Sequence, residues 1–74
     1  MKNVKLTTII EIDEDGYFAY CPELQGCYTQ GDTYEEAMVN INDAVKLHLE
    51  ARIANGESLP TNKNISVTSV EMTV

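Results

Sequence analysis

Apolar and polar residues alternate along the first part of the chain, from Val4 to Ile12. One parity carries Val4, Leu6, Thr8, Ile10 and Ile12, and the other carries Lys5, Thr7 and Glu11. A period of two is typical of a strand that buries one face and exposes the other. The pattern predicts a first strand with Ile10 and Ile12 on its main apolar face.

Two further short strands are predicted, joined by turns. The segment "DEDG", from Asp13 to Gly16, suits a hairpin turn because Asp and Gly tolerate positive φ. The aromatic-rich "YFAYC" predicts a second strand, which ends at Pro22 because proline has no N–H to donate. The turn "PELQG" leads into a third strand, "CYTQ", which Gly31 is expected to break. These connections are short enough for an antiparallel meander.

A long amphipathic helix is predicted in "DTYEEAMVNINDAVKLHLEARIANG". Thr33 is placed to be its N-cap, with Glu36 completing a capping box. Gly56 is a natural C-cap, and Pro60 lies beyond it. Apolar residues at steps of three and four predict that one face packs on the sheet. This stripe consists of Ala37, Met38, Ile41, Ala44, Val45, His48, Leu49 and Arg52.

The last ten residues, "ISVTSVEMTV", predict a final strand because β-branched residues run through them. Their apolar parity changes along the segment, from Ile65 and Val67 to Val70, Met72 and Val74. Either a bulge near Ser69 reverses the pattern, or each face is covered by something different, as at a subunit interface. The predicted fold is a single α+β domain over residues 1–74 with the order β-β-β-α-β.

Size and charge narrow the possible functions. Seventy-four residues make one small domain of marginal stability as a monomer, so we expect self-association. The net charge of -7 repels phosphate backbones, so direct binding of nucleic acid is not expected. The same charge speeds encounter with a basic partner, which favours a cationic protein.

No targeting segment is predicted. The apolar runs are well short of the roughly 20 residues that a membrane span needs. The start, "MKNVKLTT", lacks the apolar core and cleavage site of a signal peptide. We therefore expect a cytoplasmic protein in which Cys21 and Cys27 are reduced thiols.

No catalytic, cofactor-binding or metal site is predicted either. Five residues separate Cys21 from Cys27, and with His48 as the one other soft ligand a zinc site lacks ligands. The cysteines are interpreted as small strand residues that flank a turn, with a cross-strand disulfide as the main alternative. His48 is interpreted as packed on the helix stripe. The segment "GDTYEEA" lacks the lysine and the spacing of a phosphate loop.

Acidic and aromatic residues around the first three strands form the predicted partner-binding surface. Glu11, Asp13, Glu14 and Asp15 form an acidic cluster around the first turn, and a hairpin tip favours a solvated turn, or a docking patch for a basic partner, over a metal site. Tyrosine is enriched at protein interfaces, although core packing explains the four tyrosines about equally well. The predicted contact residues are Asp13, Glu14, Asp15, Tyr20, Glu23 and Tyr28.

The segment from Gly16 to Glu50 resembles the HicB-like antitoxin family. Members typically carry a Tyr-x-Ala-x-x-Pro-Glu/Asp-Leu-x-Gly-Cys-x-x-x-Gly-Asp-Thr-x-x-Glu-Ala run that is followed by one long helix. The matching residues are Tyr17, Ala19, Pro22, Glu23, Leu24, Gly26, Cys27, Gly31, Asp32, Thr33, Glu36 and Ala37.

The resemblance implies a partial RNase H-like fold and the role of inhibitor in a type II toxin–antitoxin pair. The partner would be a HicA-like toxin, a small basic ribonuclease that cleaves mRNA and has the shape of a double-stranded-RNA-binding domain. An inhibitor that covers such a protein needs no catalysis of its own, so neither enzyme activity nor a cofactor is expected. The alternative is an orphan scaffold or ligand-binding module that keeps the fold without a toxin.

The resemblance also bears on assembly. We expect a homodimer or homotetramer formed through the strands. Many family members carry a ribbon-helix-helix or helix-turn-helix module after the final strand, whereas this chain ends at Val74. We therefore expect the single-domain form without a DNA-binding module.

Overall fold

A computed structural model describes residues 4–60 and 68–74 of the chain. Its elements are β1 (Ile9–Asp13), β2 (Gly16–Tyr20), β3 (Tyr28–Gly31) and α1 (Tyr34–Ala54). The strands form one antiparallel sheet in the order β1-β2-β3, and α1 packs on one of its faces. The predicted α+β fold, a three-stranded meander followed by one long helix, is confirmed.

The strand register divides the sheet into a helix face and an open face. Ala19 pairs with Ile10 of β1 and with Thr29 of β3, and it is fully buried. Since side chains alternate along a strand, Tyr17 shares the helix face of Ala19, whereas Phe18 belongs to the open face. The buried core between sheet and helix consists of Ala19, Cys21, Leu24, Cys27, Ala37 and Ile41.

The first strand is shorter than the one predicted for residues 4–12. Its ladder with β2 starts at the pair of Ile9 and Tyr20. The chain turns after Tyr20, so the residues before Ile9 have no strand to pair with. The backbone N–H of Thr7 donates instead to both oxygens of the Glu23 carboxylate, at 3.1 and 3.0 Å.

Gly31 is the last residue of β3 and allows a close approach of the helix. It pairs with Tyr17, so the predicted break in the strand falls after this residue. A Cβ atom here would lie 2.6 Å from the backbone nitrogen of Ala37, which no real Cβ tolerates. The Asn40 amide donates to the Gln30 carbonyl at 2.8 Å and also ties the helix to β3. A side chain at position 31 would therefore force α1 away from the sheet.

Both ends of α1 are capped, with one difference from the prediction at each end. The Thr33 hydroxyl accepts the Glu36 N–H at 3.0 Å, which confirms Thr33 as the N-cap. The Glu36 carboxylate accepts the Asp32 N–H at 3.3 Å, so the reciprocal bond of the capping box reaches one residue further back than expected. The C-cap is Asn55, and the predicted cap residue Gly56 follows it with a φ of 71° and donates its N–H to the Ile53 carbonyl.

Most of the predicted stripe of α1 packs in or against the core, namely Ala37, Ile41, Ala44, Val45 and Leu49. Ala37 and Ile41 are buried, and the remaining stripe residues, His48 included, are half-buried. The helix contacts β3 most and β1 least. Ile12 of β1 has the predicted parity but is 68% exposed, because the helix does not extend over it. Within the described ranges, no helix is long and apolar enough to cross a membrane.

The predicted final strand lies partly outside the described residues, which leave out 61–67. Residues 68–74 are described and do not pair with the sheet. Their apolar side chains are exposed, at Val70, Met72 and Val74. A β-strand satisfies its backbone N–H and C=O groups by pairing with a neighbouring strand, and residues 68–74 have no such partner among the described residues. The partial RNase H-like arrangement, which includes this strand, stays a prediction.

We predict that Gly31→Ala destabilises the fold by about 2–3 kcal/mol, because the added methyl group overlaps helix backbone. Denaturant unfolding followed by circular dichroism measures the loss. Gly26→Ala is the control: Gly26 has a φ of 78°, yet an added Cβ meets no atom within 4 Å. Gly26→Ala should lower the free energy of unfolding by only about 1 kcal/mol, which is the cost of placing alanine in the left-handed conformation. Equal losses in the two variants would contradict the close approach.

The Glu23 carboxylate has a pH-dependent role in stability. Burial raises the pKa of this carboxyl, but the hydrogen bonds from the Thr7 N–H and the Cys21 thiol outweigh it, so the net pKa is lowered. A carboxyl whose pKa is lower in the folded chain stabilises the fold above its unfolded pKa. That stabilisation is lost as the pH falls through the folded-state pKa.

We predict that Glu23→Gln destabilises the fold at pH 7 by at most about 1 kcal/mol, since solvent screens this partly exposed group. The difference in stability between Glu23→Gln and the parent chain should shrink as the pH falls from about 4.3, the ordinary pKa of Glu, through the lower folded-state pKa, because residue 23 then becomes uncharged in the parent chain as well. Thermal unfolding across that pH range measures it. Glu14→Gln, in the exposed first turn, is the control. If the loss of stability in Glu23→Gln stays constant down to strongly acidic pH, the carboxylate is not its source.

Candidate partner-binding surface

The open face of the sheet carries a cluster of three aromatic rings. This face consists of Ile9, Glu11, Phe18, Tyr20, Tyr28 and Gln30. The Phe18 ring centroid lies 5.9 Å from that of Tyr20 and 5.8 Å from that of Tyr28. Both pairs are tilted and lie at distances where aromatic rings attract each other. The rings meet because alternate residues of β2 and the diagonal residue of β3 project to the same side.

A shallow groove of about 480 Å³ lies against these rings, where β2 turns into β3. The three rings and residues of the turn, such as Pro22, line it. Glu11 is the one carboxylate among the described residues of the lining. The groove therefore combines aromatic surface with one negative charge, which suits a basic and partly apolar partner.

The acidic turn lies at the other end of β2 from the groove. Asp13 pairs with Gly16 at the hairpin end, whereas Tyr20 is four residues further on, about 13 Å along the strand. All three acids, Asp13, Glu14 and Asp15, are exposed. One Asp13 oxygen accepts the Asp15 N–H at 2.8 Å, so this side chain also shapes the turn. The positive φ of the turn, 127°, falls on Gly16 and on none of the acids.

The three other predicted contact residues are Tyr20, Tyr28 and Glu23. The structure brings the two tyrosines together, whereas Glu23 contacts residues of its own chain. Tyr20 and Tyr28 both line the groove, and Tyr28 is 63% exposed. Glu23 is half-buried, accepts the Thr7 N–H and lies 3.5 Å from the Cys21 sulfur. The predicted surface is thus divided into an aromatic groove, an acidic turn and a carboxylate that anchors the chain before β1.

Cys21 and Cys27 flank the turn as interpreted, and both are buried free thiols. The Cys21 N–H donates to the Cys27 carbonyl at 3.0 Å, which closes the turn behind the groove. Burial raises the pKa of both thiols. They are therefore protonated at neutral pH and behave as small apolar side chains. No group of three or more side chains suited to a metal occurs in residues 4–60 and 68–74.

Reasoning from the sequence groups Glu11 with the acidic turn instead of the groove, and it misses Phe18. The two residues lie directly opposite each other in the β1–β2 ladder. Residues paired across an antiparallel ladder point to the same side. Counting residues outward from the hairpin turn would have paired Glu11 with Phe18 and placed both on the face of Tyr20.

The chain is similar over most of its length to known proteins. The model of the HicB-like antitoxin family of bacterial toxin–antitoxin systems matches residues 6–73. A UPF0150 protein of Synechocystis sp. is 47% identical over 55 residues, which cover 73% of this chain and 70% of that protein. A UPF0150 protein of Helicobacter pylori is 40% identical over 67 residues, which cover 90% of this chain and 93% of that protein.

One relative carries the name of an antitoxin. Antitoxin HicB 1 of Photorhabdus laumondii is 34% identical over 61 residues, which cover 81% of this chain and 39% of that protein. No solved structure matches the chain. Because the family model spans nearly the whole sequence, the chain belongs to the HicB-like antitoxin family of bacterial toxin–antitoxin systems.

Proposed function

We propose that this protein is the antitoxin of a type II pair, and that it binds and occludes a small basic HicA-like ribonuclease. The family match over residues 6–73 carries the proposal. The net charge of -7 supports it, because an acidic inhibitor is complementary to a basic RNA-binding protein. The groove beside Phe18 supplies an aromatic surface of the kind that anchors protein interfaces.

The proposed mechanism is masking, without catalysis by this chain. Long-range attraction brings the two proteins together, and contact with the open face then excludes RNA from the toxin. The open face supplies three aromatic rings, and the groove beside them adds the Glu11 carboxylate, which are groups suited to contact with a basic protein. We place the pair in the cytoplasm, where mRNA is found.

Co-expression with the protein encoded beside this one tests the proposal. We expect the two proteins to co-purify and the antitoxin to relieve the growth arrest caused by its neighbour. An orphan scaffold that keeps the fold without a toxin is the alternative. A neighbour that is neither small nor basic, or a pair that fails both assays, would favour the orphan scaffold.

We predict that reversing the charge of the acidic turn slows association with the toxin. Glu14→Lys combined with Asp15→Lys should lower the association rate about three- to tenfold at low salt, because these exposed charges steer the encounter. The effect should fade at high salt. Stopped-flow mixing or surface binding measures the rates. Asp43→Lys with Glu50→Lys, on the outer side of α1, is the control with the same net charge. Equal rates in the two double variants would remove the turn from the steering surface.

We also propose that the protein assembles as a homodimer or homotetramer through its strands. β1 is an edge strand with an exposed Ile12. The segment 68–74 exposes Val70, Met72 and Val74 at alternate positions, as a strand does on one face. An open edge and an exposed apolar segment favour pairing between copies. The exposed apolar surface is the support for this proposal.

We predict that Val70→Lys combined with Met72→Lys shifts the protein towards the monomer, because two charges replace apolar contacts in the strand interface. Light scattering after size-exclusion chromatography measures the mass. Ser69→Lys with Thr73→Lys adds the same charge at the other parity and should disturb assembly less. If neither variant changes the mass of an oligomer, the segment takes no part in assembly.

A further inference from the structure

We propose that the groove on the open face receives one cationic side chain, an arginine or a lysine, which a basic protein partner inserts beside Glu11 and the aromatic rings. The partner's identity rests on the proposed function. The inference goes further because it names the chemical group that the groove binds and the residues that bind it.

The aromatic cluster supplies the first part of such a site. A cation is attracted to the face of an aromatic ring when it lies within about 6 Å of the ring centroid. Phe18 lies within 6 Å, centroid to centroid, of both Tyr20 and Tyr28. One cation can therefore approach more than one ring. Tyr28 is 63% exposed, so its ring is accessible to a partner.

Glu11 supplies the opposite charge. It pairs with Phe18 across the β1–β2 ladder and therefore shares the open face with the rings. It is exposed and is the one carboxylate among the described residues that line the groove. A guanidinium or ammonium group in the groove can therefore donate charge-assisted hydrogen bonds to Glu11 while it contacts the rings.

The remaining lining suits the stem of a long basic side chain. The exposed Pro22 adds apolar surface to the groove, and methylene groups of arginine and lysine pack on such surface while the charged head stays with its partner. A purely apolar ligand would bury Glu11 without a counter-charge. An anionic ligand would be repelled by the net charge of -7.

The balance of charges also disfavours a second copy of this chain as the occupant. The sequence has 12 acidic residues and only five basic ones, so a second copy offers few cationic side chains that could lie beside Glu11. A basic partner instead gains from both the field of the whole chain and the local carboxylate. These charges favour a different, cationic protein.

A peptide titration of the full chain tests the inference without the toxin. The probe is an acetylated and amidated Arg–Arg dipeptide, and a citrulline–citrulline dipeptide is its uncharged analogue. We expect the arginine peptide to shift the NMR ring signals of Phe18, Tyr20 and Tyr28 in a saturable way. The citrulline peptide should shift them much less. Equal shifts with both peptides, or no shift with either, would overturn the inference.

Variants of the groove extend the test. Glu11→Gln and Phe18→Leu should each weaken binding of the arginine peptide about three- to thirtyfold. Glu50→Gln removes the same charge from the outer side of α1 and should change the affinity less than about twofold. Since Glu11 is exposed, Glu11→Gln should leave the fold intact, which unfolding curves check. Unchanged affinity in Glu11→Gln and Phe18→Leu overturns the inference.

The same variants, measured against the co-purified neighbour, separate the two proposals. Normal toxin binding by Glu11→Gln and Phe18→Leu would overturn the cation site and leave the antitoxin function standing. Absence of any neighbour that binds would remove the antitoxin function, and the peptide titration would still decide the inference. If the ring signals of the parent chain shift with protein concentration, and the tyrosine signals of Phe18→Leu do not, the groove binds a second copy of the chain. That result would overturn the inference.

Discussion

The close approach of α1 to β3 determines where the surfaces of this domain lie. Gly31 lets the first helical turn lie directly against the strand, and the bond from Asn40 to Gln30 holds the helix there. A helix is about 10–12 Å wide and strands are about 4.8 Å apart, so one helix covers about two strands. β1 is left with an exposed Ile12, and no element among the described residues covers the far side of the sheet.

This arrangement separates the residues that stabilise the fold from those available for binding. The core uses small residues, such as Ala19, Cys21 and Ala37, that allow the layers to pack closely. The larger rings of Phe18, Tyr20 and Tyr28 lie on the open face instead, where no described element covers them. A small domain with this division presents an aromatic, acidic surface, which is consistent with function by contact.

Some features of the site can be predicted from the type of particular residues, whereas others depend on where the fold places those residues. Tyrosine suits interfaces, so the sequence predicts the tyrosines of the groove as contact residues. Charge alone groups Glu23 with them, but the turn after Tyr20 carries its carboxylate to the Thr7 N–H. Charge and aromatic content also group the acidic turn with the groove, although the five residues of β2 hold the two apart. Composition gives the charge of a residue, whereas distance along a strand gives its neighbours.

The three strands and the capped helix can be predicted from the sequence, because alternation, turn residues and the Thr33 cap act through local backbone chemistry. The extent of β1, the side of the sheet that the helix covers and the need for glycine at position 31 follow from the packed fold. Those outcomes depend on contacts between residues far apart in the chain, and the space between two packed backbones cannot be read from either segment alone.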